Sequence, residues 1–249
     1  MKRRKIVCLC CLLLLLCGCG QQKAAIVLRP AVIPAAADAD TSTEEAEVQK
    51  PVKYAALTFD DGPSRYTESL LDGLKERGIH ATFFLIGQQV EGREELVRRM
   101  KEEGHQIGNH SYDHPMLNKV NSSAAWKNLD HCNSVLTEVL GEGCYWIRPP
   151  YGLITDDEMG CASVPLIYWS VDTLDWKLRN TSKVLQRILK DTKDGSIILM
   201  HDCYDTSVEA ALEGADALVA QGYQLVTLQE LFTVKAVEPK NGVVYRYVR

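Results

Sequence analysis

The chain of 249 residues has little apolar sequence in long runs. The one unbroken run, Ile6 to Cys17, is shorter than the ~20 residues that a membrane-spanning helix needs. A basic excess is missing as well, since 28 Lys and Arg stand against 33 Asp and Glu. Removing residues 1–18 takes away Lys2, Arg3, Arg4 and Lys5 and no acid, which leaves 24 basic against 33 acidic residues, a net of about −9. That balance excludes a nucleic-acid or other polyanionic partner held by charge, because such proteins carry a basic face. Cysteine is present nine times, but no pair beyond the first 19 residues has CxxC spacing, which removes a zinc knuckle and a dithiol redox motif from the rest of the chain. Five of the nine precede residue 20, leaving Cys132, Cys144, Cys161 and Cys203, for which a disulfide and buried free thiols are both open. There is no internal repeat.

Met1–Lys5 is a basic stretch leading into the apolar run, the pattern of a secretory leader. The junction Leu16–Cys17–Gly18–Cys19 resembles a bacterial lipobox, which implies a lipidated Cys19 and an anchor on the outer face of the cytoplasmic membrane. Ordinary cleavage releasing a soluble protein is the other reading. From Gln21 to about Lys50 the chain is rich in Ala, Pro, Asp, Glu and Thr without apolar periodicity, as in a disordered tether. The expected organisation is a leader over 1–18, a tether over 19–52, one folded domain over 53–233 and a C-terminal tail over 234–249, in a monomer.

Within the domain, strand-like and helix-like stretches alternate. Strands are expected at Tyr54–Phe59, Ala81–Ile86, His105–Asn109, Tyr145–Arg148, Leu166–Val171, Ile197–Met200 and Tyr223–Val226. Helices are expected at Tyr66–Arg77, Glu94–Glu103, Ser122–Leu140, Ser182–Asp194 and Ser207–Ala220, several followed by a glycine suited to a left-handed cap. This alternation predicts an α/β fold, a distorted (β/α) barrel with about seven parallel strands.

The polar side chains fall at the C-terminal ends of these strands. Asp60 and Asp61 follow the first, His110 and His114 the third, Arg148 the fourth, Asp172 and Asp175 the fifth, and His201 and Asp202 the sixth. One rim would therefore gather them, where α/β folds place their chemistry. Adjacent carboxylates repel, so Asp60 and Asp61 need a cation beside them unless Asp60–Asp61–Gly62 is a plain turn. His110 and His114, four apart, project to one side of a helical turn and can share a metal, although such a pair also serves as a cap or core feature. Asp61 can complete a His₂Asp set with a position left for water. It would be neutralised there while Asp60 remains available as a base.

Five segments, Thr58–Gly62, His110–Ser111–Tyr112–Asp113–His114, Arg148–Pro149–Pro150–Tyr151–Gly152, Asp172–Trp176 and Leu199–Met200–His201, together resemble the polysaccharide deacetylase family with its NodB homology domain. The resemblance spans roughly residues 54–232 and departs from the family at none of these functional positions. It implies a divalent metal, zinc or else cobalt or another dication, on Asp61, His110 and His114. It implies Asp60 as general base paired with Arg148, the Tyr151 amide at the oxyanion, and His201 as general acid oriented by Asp175. Trp176 and Leu199 would line an acetyl pocket, though both also suit a core. Asp172 and Asp202 read as supporting or structural. The implied partner is a polysaccharide, with peptidoglycan N-acetylglucosamine strands favoured by membrane placement. A chitooligosaccharide deacetylase, an acetylxylan esterase and a carbohydrate-binding lipoprotein without turnover are the alternatives.

Overall fold

The computed structural model describes residues 52–141 and 143–249; the leader, Cys19 and nearly all of the tether lie outside them. Its first strand, β1 (Lys53–Gly62), is buried without a break from Ala55 to Asp60, as a parallel strand covered on both faces must be. Ala55, Leu57 and Phe59 face a cluster with the helical Leu70, Leu74, Val208 and Ala211. Ala56 points the other way, among Phe84, Trp146, Ile167 and Ile197. With a side-chain period of two, Thr58 and Asp60 share that inner side.

The chain continues through α1 (Thr67–Glu76), β2 (Thr82–Leu85), α2 (Gly87–Val90), α3 (Glu94–Glu102), β3 (Gln106–Asn109), α4 (Ser122–Leu140) and α5 (Asp156–Cys161). There follow β4 (Leu166–Ile167), β5 (Val171–Asp172), α6 (Asp175–Leu178), α7 (Thr181–Asp191) and β6 (Ser196–His201). The last elements are α8 (Asp205–Ala220), β7 (Tyr223–Leu225), α9 (Leu228–Val234) and β8 (Val244–Tyr245). Parallel pairing runs β3-β2-β1-β6-β5, and β7 pairs with the start of β1. Single parallel bridges join Asn109 to Ile147 and Ile147 to Leu166. Because β4 and β5 are consecutive pieces of one stretch, and β5 pairs with β6, the ring closes. The fold is a distorted (β/α) barrel, with its staves uneven.

Two expected strands are altered. Tyr145–Arg148 contributes only the bridge at Ile147, and Leu166–Val171 breaks into β4 and β5. Prolines explain the first: Pro149 and Pro150 end the stretch and Pro165 faces it, and none has an N–H for a ladder. The segment expected as a tail folds back on the domain, pairing β8 with β4 and burying Val248 beside Phe232 and Ile197. Gly195 (φ +80°) makes this possible, since a Cβ there would lie 1.9 Å from the Val248 carbonyl oxygen. The four described cysteines are free thiols. No helix among the described residues is long and apolar enough to cross a membrane.

Candidate active site

At the upper end of the barrel interior, Asp60 meets Arg148. Both are buried, and Arg148 Nη1 donates to Asp60 Oδ1 at 2.6 Å and to Thr58 Oγ1 at 2.8 Å. Its remaining nitrogens donate to the carbonyls of Ile167 and Tyr168, and its guanidinium lies 4.2 Å from the centre of the Phe84 ring. A guanidinium this enclosed is tolerable because each of its nitrogens is bonded and one carboxylate balances its charge.

Asp61 departs from the strand geometry that Asp60 keeps. The register of β1 against β2 shifts between Asp60 and Gly62, and Asp61 takes a left-handed φ of 70°. Asp60 Oδ1 is bonded to Arg148 and Asp61 Oδ1 lies beside His114, while both carboxylates come within 4 Å of His110 Nε2. Gly62 is required beside them, since a Cβ would sit 2.5 Å from Asp202 Oδ2. Asp202 itself is buried, accepts a hydrogen bond from Thr67 Oγ1, and is pushed up to about 7, chiefly by burial.

The two histidines do not lie on a helical turn, as their spacing suggested. Residues 110–114 form a loop with left-handed Ser111 (φ 68°) and His114 (φ 60°). Asn109 Oδ1 accepts from the Ser111 amide at 2.7 Å, and Ser111 Oγ accepts from the His114 amide at 3.0 Å. Asn109 is in turn tied to the Leu129 carbonyl of α4 at 2.8 Å. The bend brings the two imidazole centroids to 4.9 Å, so the loop does what a helix was expected to do.

His110 Nδ1 donates to the Arg148 carbonyl at 2.6 Å, which leaves the lone pair on Nε2. That atom lies 3.4 Å from Asp61 Oδ1, and His114 Nε2 lies 3.3 Å from the same oxygen. One ligand atom from each of the three residues falls within 4.8 Å of the others. Asp61 Oδ1 is buried with no hydrogen-bond partner, an orphan that a cation would satisfy. Burial raises the Asp61 pKa, but the imidazoles of His110, His201 and His114 outweigh it and hold the carboxyl well below its usual range. Two imidazoles and one carboxylate with room for water fit a divalent ion.

His201, at the end of β6, is the register partner of Asp60 on β1. Its Nδ1 donates to Asp175 Oδ1 at 2.8 Å, and its amide donates to Asp175 Oδ2 at 2.7 Å. Burial alone would lower its pKa, but Asp175 and the more distant Asp60 and Asp61 push it up to about 9. Asp175 begins the short α6, bracketed by left-handed Leu174 (φ 54°) and Arg179 (φ 45°). Asp172 Oδ1 accepts from the Leu174 amide at 3.0 Å and so shapes this turn.

A cavity of about 520 Å³ opens over these groups. Asp60, Asp61, His110, His114 and His201 lie on its polar side, with Tyr151, Trp176 and Leu199 around them. Tyr151 is 54% exposed with a left-handed φ of 59°, Trp176 is 48% exposed, and Leu199 is buried. Asp175 and Arg148 are behind the lining, each bonded to a residue that forms it. Trp169 and Tyr204 also line the cavity and were not anticipated. Tyr204 lies three residues beyond His201, so the strand-end rule that selected His201 reaches it once aromatics are admitted.

Residues 47–162 match the family model described as polysaccharide deacetylase. The chain is 40% identical over 193 residues to a peptidoglycan-N-acetylmuramic acid deacetylase of Bacillus subtilis, which covers 77% of this chain and 41% of that protein. It is 40% identical over 184 residues to a peptidoglycan-N-acetylglucosamine deacetylase of Listeria monocytogenes, covering 74% of this chain and 40% of that one. The chain thus spans about two fifths of the length of these curated relatives. Among solved structures, a family 4 acetyl xylan esterase from Clostridium thermocellum, in complex with a cobalt ion, superposes with a TM-score of 0.74 at 30% identity, covering 79% of this chain and 99% of that one. On the family-model match together with these identities and coverages, the chain belongs to the polysaccharide deacetylase family.

Proposed function

We propose that this protein removes acetyl groups from N-acetylated sugars of a cell-wall polysaccharide, peptidoglycan in particular, with zinc on Asp61, His110 and His114. The observation that carries the reading is the placement of a base and an acid each within 4 Å of a different member of the ligand trio. Asp60 Oδ2 lies 3.6 Å from His110 Nε2, and His201 Nε2 lies 3.9 Å from Asp61 Oδ2. When bound, the dication supplies a Lewis acid and lowers the pKa of a water toward ~7. Asp60, oriented by Arg148, accepts a proton from the attacking water. The Tyr151 amide, on its strained turn, donates to the oxygen that gains charge. His201, kept protonated by Asp175, gives its proton to the departing nitrogen.

That last role favours amides over esters, because an amine leaves only when protonated and an alkoxide depends on this less. The relatives are named for peptidoglycan sugars and for acetyl xylan, and His201 is the feature that weighs toward the former. A purely carbohydrate-binding role would have no chemical need for base, ligands and acid together. We also propose that Cys19 carries a lipid, holding the domain near the wall. Labelled fatty acid should enter the wild-type protein and not Cys19→Ala; equal labelling of both would remove the anchor.

The test is release of acetate and free amine from N-acetylated glycans by the full chain. Activity should vanish on chelation and return with zinc or cobalt. Undiminished turnover in metal-free protein, or no acetate from peptidoglycan or any other N-acetylated glycan, would contradict the proposal.

A further inference from the structure

A second cavity, of about 610 Å³, backs on to the first. The two share walls on two counts. Tyr151 lines the first and Ile154, three residues on, lines the second. Trp169 lines the first and Tyr168 the second, with the two rings stacked at 5.9 Å. The far side is built by the segment that folds back after α9, which carries Arg246 and Arg249.

These arginines stand out in a chain with acidic excess. Arg246 lies over the Tyr168 ring at 4.5 Å and Arg249 over the Tyr247 ring at 4.7 Å. Each guanidinium thus has a face covered by an aromatic ring, which leaves N–H edges for a planar anion. Neither forms an ion pair with a carboxylate among the described residues, whereas Lys235 nearby is bonded to both oxygens of Asp194. Arg249 spends only its Nε, on the Asp194 carbonyl at 3.1 Å. The remaining lining is the ring of Tyr245 and aliphatic groups, among them Ile154, Met159 and Val244.

We propose that this cavity binds the peptide stem of a peptidoglycan strand whose acetylated sugar sits in the first cavity. The proposal rests on the reading of the site as a peptidoglycan deacetylase. Alternate sugars of such a strand bear, through a lactyl ether, a short peptide with alanine methyl groups and free carboxylates. The methyls suit the apolar lining and a carboxylate suits the guanidinium edges. Chitin has no carboxylate, and neither chitin nor xylan carries a peptide branch. The shared wall formed by residues 151–154 and the Tyr168–Trp169 stack sets the second cavity beside the sugar, where a substituent branching from the strand would lie.

The experiment measures kcat and KM of the full, metal-loaded chain on three soluble glycans: muramyl oligosaccharides with stems, the same glycans stripped to free lactyl carboxylates, and chitotetraose. Wild type, Arg246→Gln, Arg246→Lys and Arg246→Gln/Arg249→Gln are compared. The expected result is a rise in KM of about tenfold for the glutamine variants on stem-bearing glycan alone, with kcat unchanged and partial rescue by lysine, the size of a lost charged hydrogen bond. Equal losses on all three glycans would mean a structural role and overturn the proposal. A loss shared by the stripped glycan but not by chitotetraose would assign the arginines to the lactyl carboxylate and overturn the peptide assignment. Unchanged KM on stem-bearing glycan would overturn it outright. Absence of wild-type turnover on every glycan would instead sink the deacetylase reading.

Discussion

Two histidine pairs occupy opposite ends of the barrel, and their difference shows what makes a ligand of an imidazole. At the C-terminal rim, His110 Nδ1 donates to the Arg148 carbonyl, so Nε2 presents its lone pair toward Asp61. At the other end, His105 Nδ1 accepts from the Ala81 amide at 3.0 Å, which places the proton on Nε2. That Nε2 is buried and has no partner. His80, 6.0 Å away between centroids, is exposed and lies 3.7 Å from Glu230. Charge separates the pairs too. Burial lowers both buried rings, but Asp60 and Asp61 bring His110 above the ordinary value, whereas His105, with the charge of His80 added to burial, falls to about 4. Histidine count and spacing therefore do not mark a metal site. The partner of the second nitrogen and the nearness of carboxylates do.

The comparison can be broken at three points. The largest effect is expected from Asp60→Asn, which removes the base without touching a ligand. It should cost about 10²–10⁴-fold in kcat with metal content unchanged. The substitution also leaves Arg148 buried without its counter-charge, so the melting temperature should fall, by a loss on the order of 3–5 kcal/mol. Metal loss in this variant would place Asp60 among the ligands.

A smaller effect, read as pH dependence, comes from Asp175→Asn. His201 is the acid in its protonated form, present below its pKa and lost above it, and Asp175 helps raise that pKa to about 9. Removing the carboxylate should move the alkaline limb of kcat to lower pH. An unmoved limb would separate His201 from the proton transfer.

Smallest is the change at the opposite end. His105 titrates at about 4 in the folded chain and at about 6.5 when unfolded, so the unfolded chain binds more protons between these values. Stability should therefore decline as pH falls from about 6.5 to about 4, and His105→Gln should flatten that decline while leaving kcat within about twofold. A steep loss of activity in His105→Gln at neutral pH would erase the distinction between the pairs.

Much of this arrangement was legible in residue order, for a physical reason. Parallel strands must present their C-terminal ends together, so polar residues after successive strands meet whatever the details of closure. Asp60, Asp61, His110, His114 and His201 all line one cavity on that account. What escaped was local backbone geometry. The His110–His114 loop owes its shape to left-handed residues and to Asn109 and Ser111 side chains, none of which spacing reveals. Trp169 and Tyr204 were missed because an aromatic beside a strand end resembles any core residue. The return of residues 234–249 depends on β4 pairing with β8, a contact with no local signature. Asp202 was placed only loosely, because its fit against Gly62 is a matter of ångströms.

The central claim is that Asp61, His110 and His114 form the metal centre that activity requires, and that the other histidine pair has no part in it. Metal content per chain, measured alongside acetate release for wild type, His110→Ala and His105→Ala, tests this most directly. We predict about one tightly held divalent ion per wild-type chain, loss of both ion and activity in His110→Ala, and retention of both in His105→Ala. An active, metal-free wild-type protein, or equal loss of metal in the two variants, would contradict it.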